Sequence, residues 1–118
     1  MILDPSCVKA ILKAYEELPL DNECTDLSLS DFTEDQLYYH QILLAEDGYL
    51  ICKNISNSSD PHRLLPVRLT MKGHEFLNAS RNSQAWKEVR SYLSKTGGFV
   101  MSTALDLLKE YIKSHYLP

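Results

Sequence analysis

The residues from Thr33 to Ile51 constrain the fold of this chain more than any other stretch. Thr33 and Gln36 have the spacing of a helix capping box, and two acidic residues follow the cap, where the positive end of the helix dipole favours them. Gly48 accepts the left-handed conformation that often follows a helix, and the residues after it are largely apolar, as in a strand. The stretch therefore predicts a helix, a glycine stop and a strand.

The predicted helix contains no lysine or arginine, and its acidic residues are Glu34, Asp35, Glu46 and Asp47. In water, a carboxylate roughly 8 Å from a phosphate costs about 0.5 kcal/mol before salt screening, so four would cost about 2 kcal/mol. Residues 1–60 contain 12 acidic and 3 basic residues, whereas residues 61–118 contain 4 acidic and 9 basic ones. Unless the charges interleave in the folded chain, this favours two different faces or head-to-tail self-association over one nucleic-acid surface.

A first helix is predicted from Asp4 or Pro5 to about Leu18, because an aspartate cap followed by proline suits a helix start. Residues 19–32 are polar and rich in turn formers, and the alternation of Leu27 and Leu29 within them indicates a short strand.

A hairpin with a long polar tip is predicted next. Its strands are residues 49–53 and 64–70, and the second places Leu65, Val67 and Leu69 on one face. Pro66 within it favours a sheet edge, since proline has no N–H to give to a strand ladder.

Three helices are predicted after the hairpin, with Thr70, Ser83 and Ser102 at their starts and a break at Gly97-Gly98. The last helix has a wide apolar face, which predicts that it either crosses the core or pairs with another subunit. The residues predicted to form the apolar faces are Met71, Phe76, Leu77, Trp86, Val89, Tyr92, Leu93, Leu105, Leu107, Leu108, Tyr111 and Ile112.

The segment from Leu37 to Leu50 resembles the recognition helix and wing entry of bacterial winged-helix regulators, with Asp47-Gly-Tyr-Leu50 where those proteins have Ala-Gly-Leu-Val. The order of the predicted elements, taken with this resemblance, predicts a mostly helical α+β fold. We expect a single domain over 1–118, with a winged-helix-like core (helix, short strand, helix, hairpin wing) over 1–69 and a helical extension over 70–118.

The block Arg68-Leu-Thr-x-x-Gly-His-Glu-Phe-Leu77 carries a second resemblance, joined by Tyr39-His40, Leu43 to Glu46, Leu65 to Thr70 and Trp86. Together these residues are similar to an uncharacterised family from bacteria and their prophages, catalogued as a domain of unknown function. The resemblance implies a small intracellular protein of phage or prophage type, and it supplies no activity or site.

Two candidate surfaces follow from the winged-helix resemblance. The positions that would face a DNA major groove are Tyr38, Tyr39, His40 and Ile42, none of them a typical base-reading residue. Exposed tyrosine often anchors protein interfaces, so these residues predict a protein-binding surface. The alternative is that one tyrosine completes the core while the other covers a neighbouring helix. Nucleic-acid contact, if any, would fall to the hairpin region, to Lys53, His62, Arg63, Arg68 and also Lys72.

Catalysis is not expected from this sequence. Its four histidines lack the spacing of a metal site, and His40 and His74 lie in apolar helices where a structural role is expected. We expect Cys7, Cys24 and Cys52 to be reduced thiols, and no cofactor, metal or membrane segment. The sequence thus predicts a non-enzymatic cytoplasmic protein that contacts a host or phage protein and could dimerise through its last helix. A DNA-binding regulator is the alternative, disfavoured by charge.

Overall fold

The computed structural model describes residues 1–20 and 26–116, which form five helices and one two-stranded antiparallel sheet. The predicted α+β, mostly helical class is confirmed. Along the chain the elements are α1 (Pro5–Glu16), α2 (Glu34–Glu46), β1 (Leu50–Asn54), β2 (Leu64–Leu69), α3 (Met71–Ser80), α4 (Ser83–Thr96) and α5 (Met101–Tyr116).

The chain forms two compact units, residues 1–74 and 75–118, which meet within α3. This division lies five positions after the predicted end of the core at residue 69. That both units belong to a single domain stays a prediction.

Helix α1 begins as its sequence predicts. The Asp4 side chain accepts a hydrogen bond from the Ser6 N–H at 2.9 Å, and Pro5 occupies the first turn, where its missing N–H costs nothing. The helix ends at Glu16, two residues earlier than predicted. Its inward stripe is fully buried and supplies much of the first unit's core through Cys7, Val8, Ile11, Leu12 and Tyr15.

The short strand predicted around Leu27 and Leu29 is wrong. Residues 26–30 are in no strand, and β1 and β2 pair with each other in a sheet of two strands. The two leucines alternate with polar residues because both are half-buried while their neighbours face solvent. The earlier part of the predicted turn-rich interval, residues 21–25 with Cys24, lies outside the described residues.

The hairpin is confirmed, but its second strand does not alternate as predicted. Ile51 pairs with Arg68 and Cys52 with Pro66, so Val67 is the extra residue of a bulge. The bulge adjoins the proline, which cannot donate to the ladder. Because a bulge resets the alternation, Val67 is only half-buried, and the buried positions are Leu64, Leu65, Pro66 and Leu69.

An aromatic cluster forms the core of the second unit. The rings of Phe76, Trp86 and Phe99 meet edge to face, with centroids 5.9–6.4 Å apart. Helix α4 packs on α5 and buries Ala85, Trp86, Val89 and Leu93. The face that α5 buries comprises Met101, Ala104, Leu105 and Leu108.

Three predictions about the C-terminal helices are wrong. Met71 is 85% exposed, because the inward stripe of α3 is formed by Gly73, Phe76, Leu77 and Ser80. Tyr92 is 56% exposed, since it lies beside the buried stripe of α4 and not on it. The N-cap of α4 is Asn82, whose side chain accepts the Ala85 N–H at 3.0 Å, and Ser83 is the first helical residue.

Candidate interaction surface

The local signals from which helix α2 was predicted are present at both of its ends. The Gln36 N–H donates to Thr33 Oγ1 at 3.1 Å and the Thr33 N–H donates to Gln36 Oε1 at 2.9 Å, which completes the capping box. After the helix, Gly48 adopts a φ of +80°, a conformation that favours glycine. The capping box and Gly48 therefore fix where the helix begins and ends, and its length sets which side chains face the core and which face outward.

The core-facing side of α2 includes His40, which is fully buried. Its Nε2 accepts the backbone N–H of Asp4 at 2.8 Å, and its Nδ1 lies 2.8 Å from the Gln36 carbonyl oxygen. Because Nε2 accepts, the proton must be on Nδ1, which donates to that carbonyl. The placement of His40 in an interaction surface is therefore wrong, and the predicted structural role is confirmed.

A second buried polar group joins α1, α2 and β1. The Tyr15 hydroxyl donates to Gln41 Oε1 at 2.5 Å, and Gln41 Nε2 donates to the Leu37 carbonyl at 3.0 Å. Cys52 lies within hydrogen-bonding reach of Tyr15, and burial raises the pKa of both side chains. Burial, with a smaller contribution from Asp4, also raises the pKa of the Cys7 thiol to about 11. At neutral pH all three groups are uncharged and structural.

The outward side of α2 is apolar as well, which is unusual for a helix in a small unit. Tyr38, Tyr39, Ile42 and Leu43 are half-buried there, opposite the buried Leu37 and Leu44. Acidic residues flank this apolar centre at both ends of the helix, and no basic residue occurs within it. Of the four residues predicted for an interaction surface, Tyr38, Tyr39 and Ile42 are therefore partly accessible. We call this surface, formed by Tyr38, Tyr39, Ile42 and Leu43, the outer face of α2.

Two of the candidate nucleic-acid residues lie together. Arg68 pairs with Ile51 across the hairpin, and Lys53 is two residues farther along β1, so all three side chains share one sheet face. Arg68 and Lys53 are exposed, although Arg68 Nη1 also donates to the Leu69 carbonyl at 3.1 Å. This face presents two positive charges.

The other candidate bases contact groups outside the sheet face of Lys53 and Arg68. Arg63 forms ion pairs with Asp26 through Nε at 3.3 Å and with Asp60 through Nη1 at 3.7 Å. The His62 ring packs edge-on against Tyr38 with centroids 5.0 Å apart. Lys72 donates to the Asp47 carbonyl at 2.8 Å, at the end of α2. Arg63, His62 and Lys72 are thus each engaged by a neighbouring group of the chain.

A groove of about 350 Å³ separates α2 from the hairpin tip and the segment 26–32. Its apolar lining is Leu27, Leu29, Phe32, Leu37 and Leu64. The charged groups around it are Asp26, Glu34, Asp60 and Arg63, with His62, Tyr38, Ser28 and Gln41 completing the wall. We refer to this cavity as the acidic groove.

Sequence reasoning missed the acidic groove. Asp60 could have been found, since it lies three positions before Arg63, an ordinary spacing for an ion pair. Asp26 could not, because it is 37 positions from Arg63 and no local pattern joins them. The sequence presents Glu34 as a helix-start residue and as a charge unfavourable to DNA, and neither role shows which side chains face it.

Among the described residues, no three or more histidine, cysteine, aspartate or glutamate side chains are grouped so as to hold a metal ion. Within the same residues, every helix is too short or too polar to cross a membrane.

Comparisons with known proteins identify one family. No curated protein and no solved structure gives a significant match to the chain. A family model described as "Hypothetical protein (DUF2513)" matches residues 2–99, which cover α1 to α4 and end just before α5. The predicted membership of an uncharacterised family is confirmed: the chain belongs to the DUF2513 family.

Proposed function

We propose that this protein acts without catalysis by binding another protein, and that the outer face of α2 is the main contact. The observation that carries the proposal is that α2 has apolar side chains on its outward side as well as towards the core. Leu37 and Leu44 fill the core, yet Tyr39 and Ile42 still leave apolar surface accessible on the opposite side. Aromatic and aliphatic residues are typical of the centre of a protein interface.

The scaffold we propose for this contact is winged-helix-like, with α2 in the place of a recognition helix and the hairpin in the place of a wing. The order of α1, α2 and the hairpin and the positive φ of Gly48 support it. In keeping with the family resemblance, we further propose a phage or prophage protein that modulates a host or defence factor.

The charges favour a protein partner over DNA. Unit 1–74 contains twelve acidic and six basic residues, and three of those six, Arg63, Arg68 and Lys72, are engaged with acidic or carbonyl oxygens. A non-enzymatic role is supported by His40, since backbone groups occupy both of its ring nitrogens.

Partner capture from a lysate of the source organism tests the proposal. We expect Ile42→Arg to abolish recovery of a partner that the unaltered chain retains, because a charge would then lie at the centre of the apolar face. Tyr92→Arg is the matched control, an equally drastic change at an exposed tyrosine of α4, and should leave recovery unchanged. Equal recovery with Ile42→Arg, in a variant whose urea midpoint is normal, would exclude the outer face of α2.

The alternative, a DNA-binding regulator, is favoured by the shared face of Lys53 and Arg68. Two phosphate contacts would change affinity by only about ten-fold between 50 and 200 mM salt. Fluorescence anisotropy with random duplex DNA at low and moderate salt measures this directly. Micromolar affinity with a steeper salt dependence, weakened in Lys53→Ala, Arg68→Ala and Arg63→Ala variants, would establish the regulator and overturn the protein-binding proposal.

A further inference from the structure

The acidic groove is lined by apolar and charged side chains together, and the charged ones are here called its rim. Leu27, Phe32 and Leu37 are among the apolar ones, and α2 contributes a wall through residues 34–41. Tyr38 belongs both to this wall and to the edge of the outer face of α2, since Ile42 lies one turn farther along the helix. The two surfaces are therefore continuous at Tyr38, and a partner bound to the outer face of α2 would also contact the groove.

The charge of the rim is negative even after its internal ion pairs are counted. Asp26 and Asp60 share the single guanidinium of Arg63, which leaves one negative charge from those three groups. Glu34 adds a second, because it lines the groove on the other side and is an exposed carboxylate at the start of α2. The groove thus offers apolar contact through its leucine and phenylalanine side chains and a net charge of about −2 at its rim.

We propose that the acidic groove receives a basic segment of the partner protein, with one arginine or lysine side chain inserted beside Glu34. Such a side chain matches the groove in both respects, because its methylene stem packs on apolar surface while its charged head stays near the rim. Arginine in a pocket at an interface is a common source of binding energy. The inference rests on the proposed function, for which it supplies the chemistry of the partner.

A foreign basic segment fits better than a second copy of this chain. Unit 75–118 contains six basic and four acidic residues, a small excess of positive charge. One of those bases, Lys109, already forms an ion pair with Glu75. That pair removes one charge of each sign, so the net charge of the unit stays at +2. Both α4 and α5 place an acidic residue between their bases, Glu88 and Glu110, so neither helix offers an uninterrupted basic segment.

The probe is N-acetyl-arginine methylamide, titrated into the ¹⁵N-labelled full chain and followed by amide chemical shifts. We expect weak, saturable shifts confined to residues 26–41 and 60–64. The uncharged citrulline analogue has nearly the same shape and should cause no saturable shift. Glu34→Gln should weaken arginine binding by roughly two- to five-fold, the factor that an exposed ion pair contributes.

Glu46→Gln is the matched control, because it removes the same charge from an exposed residue of α2 outside the groove. Its binding should equal that of the unaltered chain. Equal binding of arginine and citrulline, equal weakening by both substitutions, or no saturation would overturn the inference. A dimer in sedimentation velocity that Glu34→Gln dissociates would assign the groove to a second copy and overturn it as well. Loss of partner capture with Ile42→Arg but no arginine binding would leave the proposed function intact and reject the groove alone.

Discussion

At the scale of single residues, two backbone groups, one at the start of α1 and one within α2, determine the position and the tautomer of the His40 ring. Its Nε2 accepts from Asp4 at the start of α1, and its Nδ1 donates within α2. A fully buried ring with both nitrogens engaged fastens the first helix to the second. The side chain therefore fills space in the core and also completes the hydrogen bonding of two backbone groups.

Replacing His40 by alanine should reduce the free energy of unfolding by about 2–4 kcal/mol, because it leaves a cavity and deprives the partly buried Asp4 N–H of its acceptor. Urea denaturation followed by circular dichroism measures the change. His62→Ala, at an exposed histidine, should change stability by about 0.5 kcal/mol or less. Similar small effects from both substitutions would contradict the structural role.

Alkaline pH should destabilise the protein through its buried acidic groups. The pKa of Cys7 rises from an ordinary 9.0 to about 11, and burial also raises the pKa values of Tyr15 and Cys52. Each group is held neutral in the folded chain, so its stabilising contribution is complete below the unfolded-state pKa and is lost as pH rises through the folded-state pKa.

Denaturation curves should accordingly show constant stability up to about pH 9 and a fall between pH 9 and 11, of about 3 kcal/mol from Cys7 alone. Cys7→Ala should reduce the slope without abolishing it, since Tyr15 and Cys52 still contribute. A flat curve through this range would show that the thiol is accessible to solvent in the folded state.

The sequence could predict the role of His40 but not its partner. The apolar helix around His40 indicated a structural side chain correctly, but the same reasoning was wrong for His74, which is exposed because it lies off the inward stripe of α3. The partner, Asp4, lies 36 positions away, and its N–H reaches the ring only because α1 packs against α2. The same limit applies to Arg63 and Asp26, whose ion pair depends on how the hairpin tip meets the segment before α2.

At the scale of elements, the turn from β2 into α3 is built by Thr70 and Gly73. Thr70 Oγ1 donates to the Gly48 carbonyl at 2.5 Å and accepts the Gly73 N–H at 3.1 Å, so it caps α3 as predicted and ties that helix to the end of α2. Gly73 is buried where α3 passes the Tyr49 carbonyl, and a Cβ there would overlap that oxygen. Glycine is needed at position 73 because the backbone of α3 passes close to the Tyr49 carbonyl, and not because a turn requires a positive φ.

Gly73→Ala should cost about 3 kcal/mol or more, because the obstacle is backbone and cannot move aside as a flexible side chain could. Gly48→Ala is the comparison, since a Cβ there meets no atom within 4 Å and the cost of its φ of +80° is about 1–2 kcal/mol. Urea denaturation of the two variants measures both losses, and the midpoint of Gly73→Ala should be the lower one. A smaller loss at Gly73 than at Gly48 would show that α3 can shift away from β1.

Elements with strong end signals were predicted closely, and those that depend on tertiary packing were not. The capping box of α2 and the break at Gly97-Gly98 are local chemistry, and the structure reproduces both. The strand at Leu27 had alternation but no partner strand, since β1 pairs with β2. The cap of α4 shifted from Ser83 to Asn82 because two adjacent residues can both cap a helix and only their backbone angles decide.

At the scale of the whole molecule, α5 is the element that the family match leaves out. The match ends at residue 99, and α5 begins at Met101. Yet α5 is not peripheral to its unit, since it packs on α4 and buries Ala104 and Leu108 completely. Its apolar face is wide, as predicted, and most of it is used within the chain.

The extent of the accessible apolar surface on α5 limits the predicted dimer through the C-terminal helix. Over residues 101–115, where the side chains of α5 are described, the apolar ones left partly accessible are Leu107, Tyr111 and Ile112. A stable interface buries roughly 800 Å² on each partner, which three half-buried side chains do not provide. We therefore expect sedimentation velocity at micromolar concentration to show a monomer, with any dimer weak and concentration-dependent.

Two substitutions on α5 separate its packing role from a dimer role. Leu108→Ala should reduce stability by about 2–5 kcal/mol, because the side chain is fully buried in the unit, and should leave the sedimentation coefficient unchanged. Ile112→Asp should leave the fold intact, and it should dissociate any dimer that α5 forms. A stable dimer that survives Ile112→Asp would place self-association elsewhere, and the acidic groove would be the first surface to test, with Glu34→Gln as the variant.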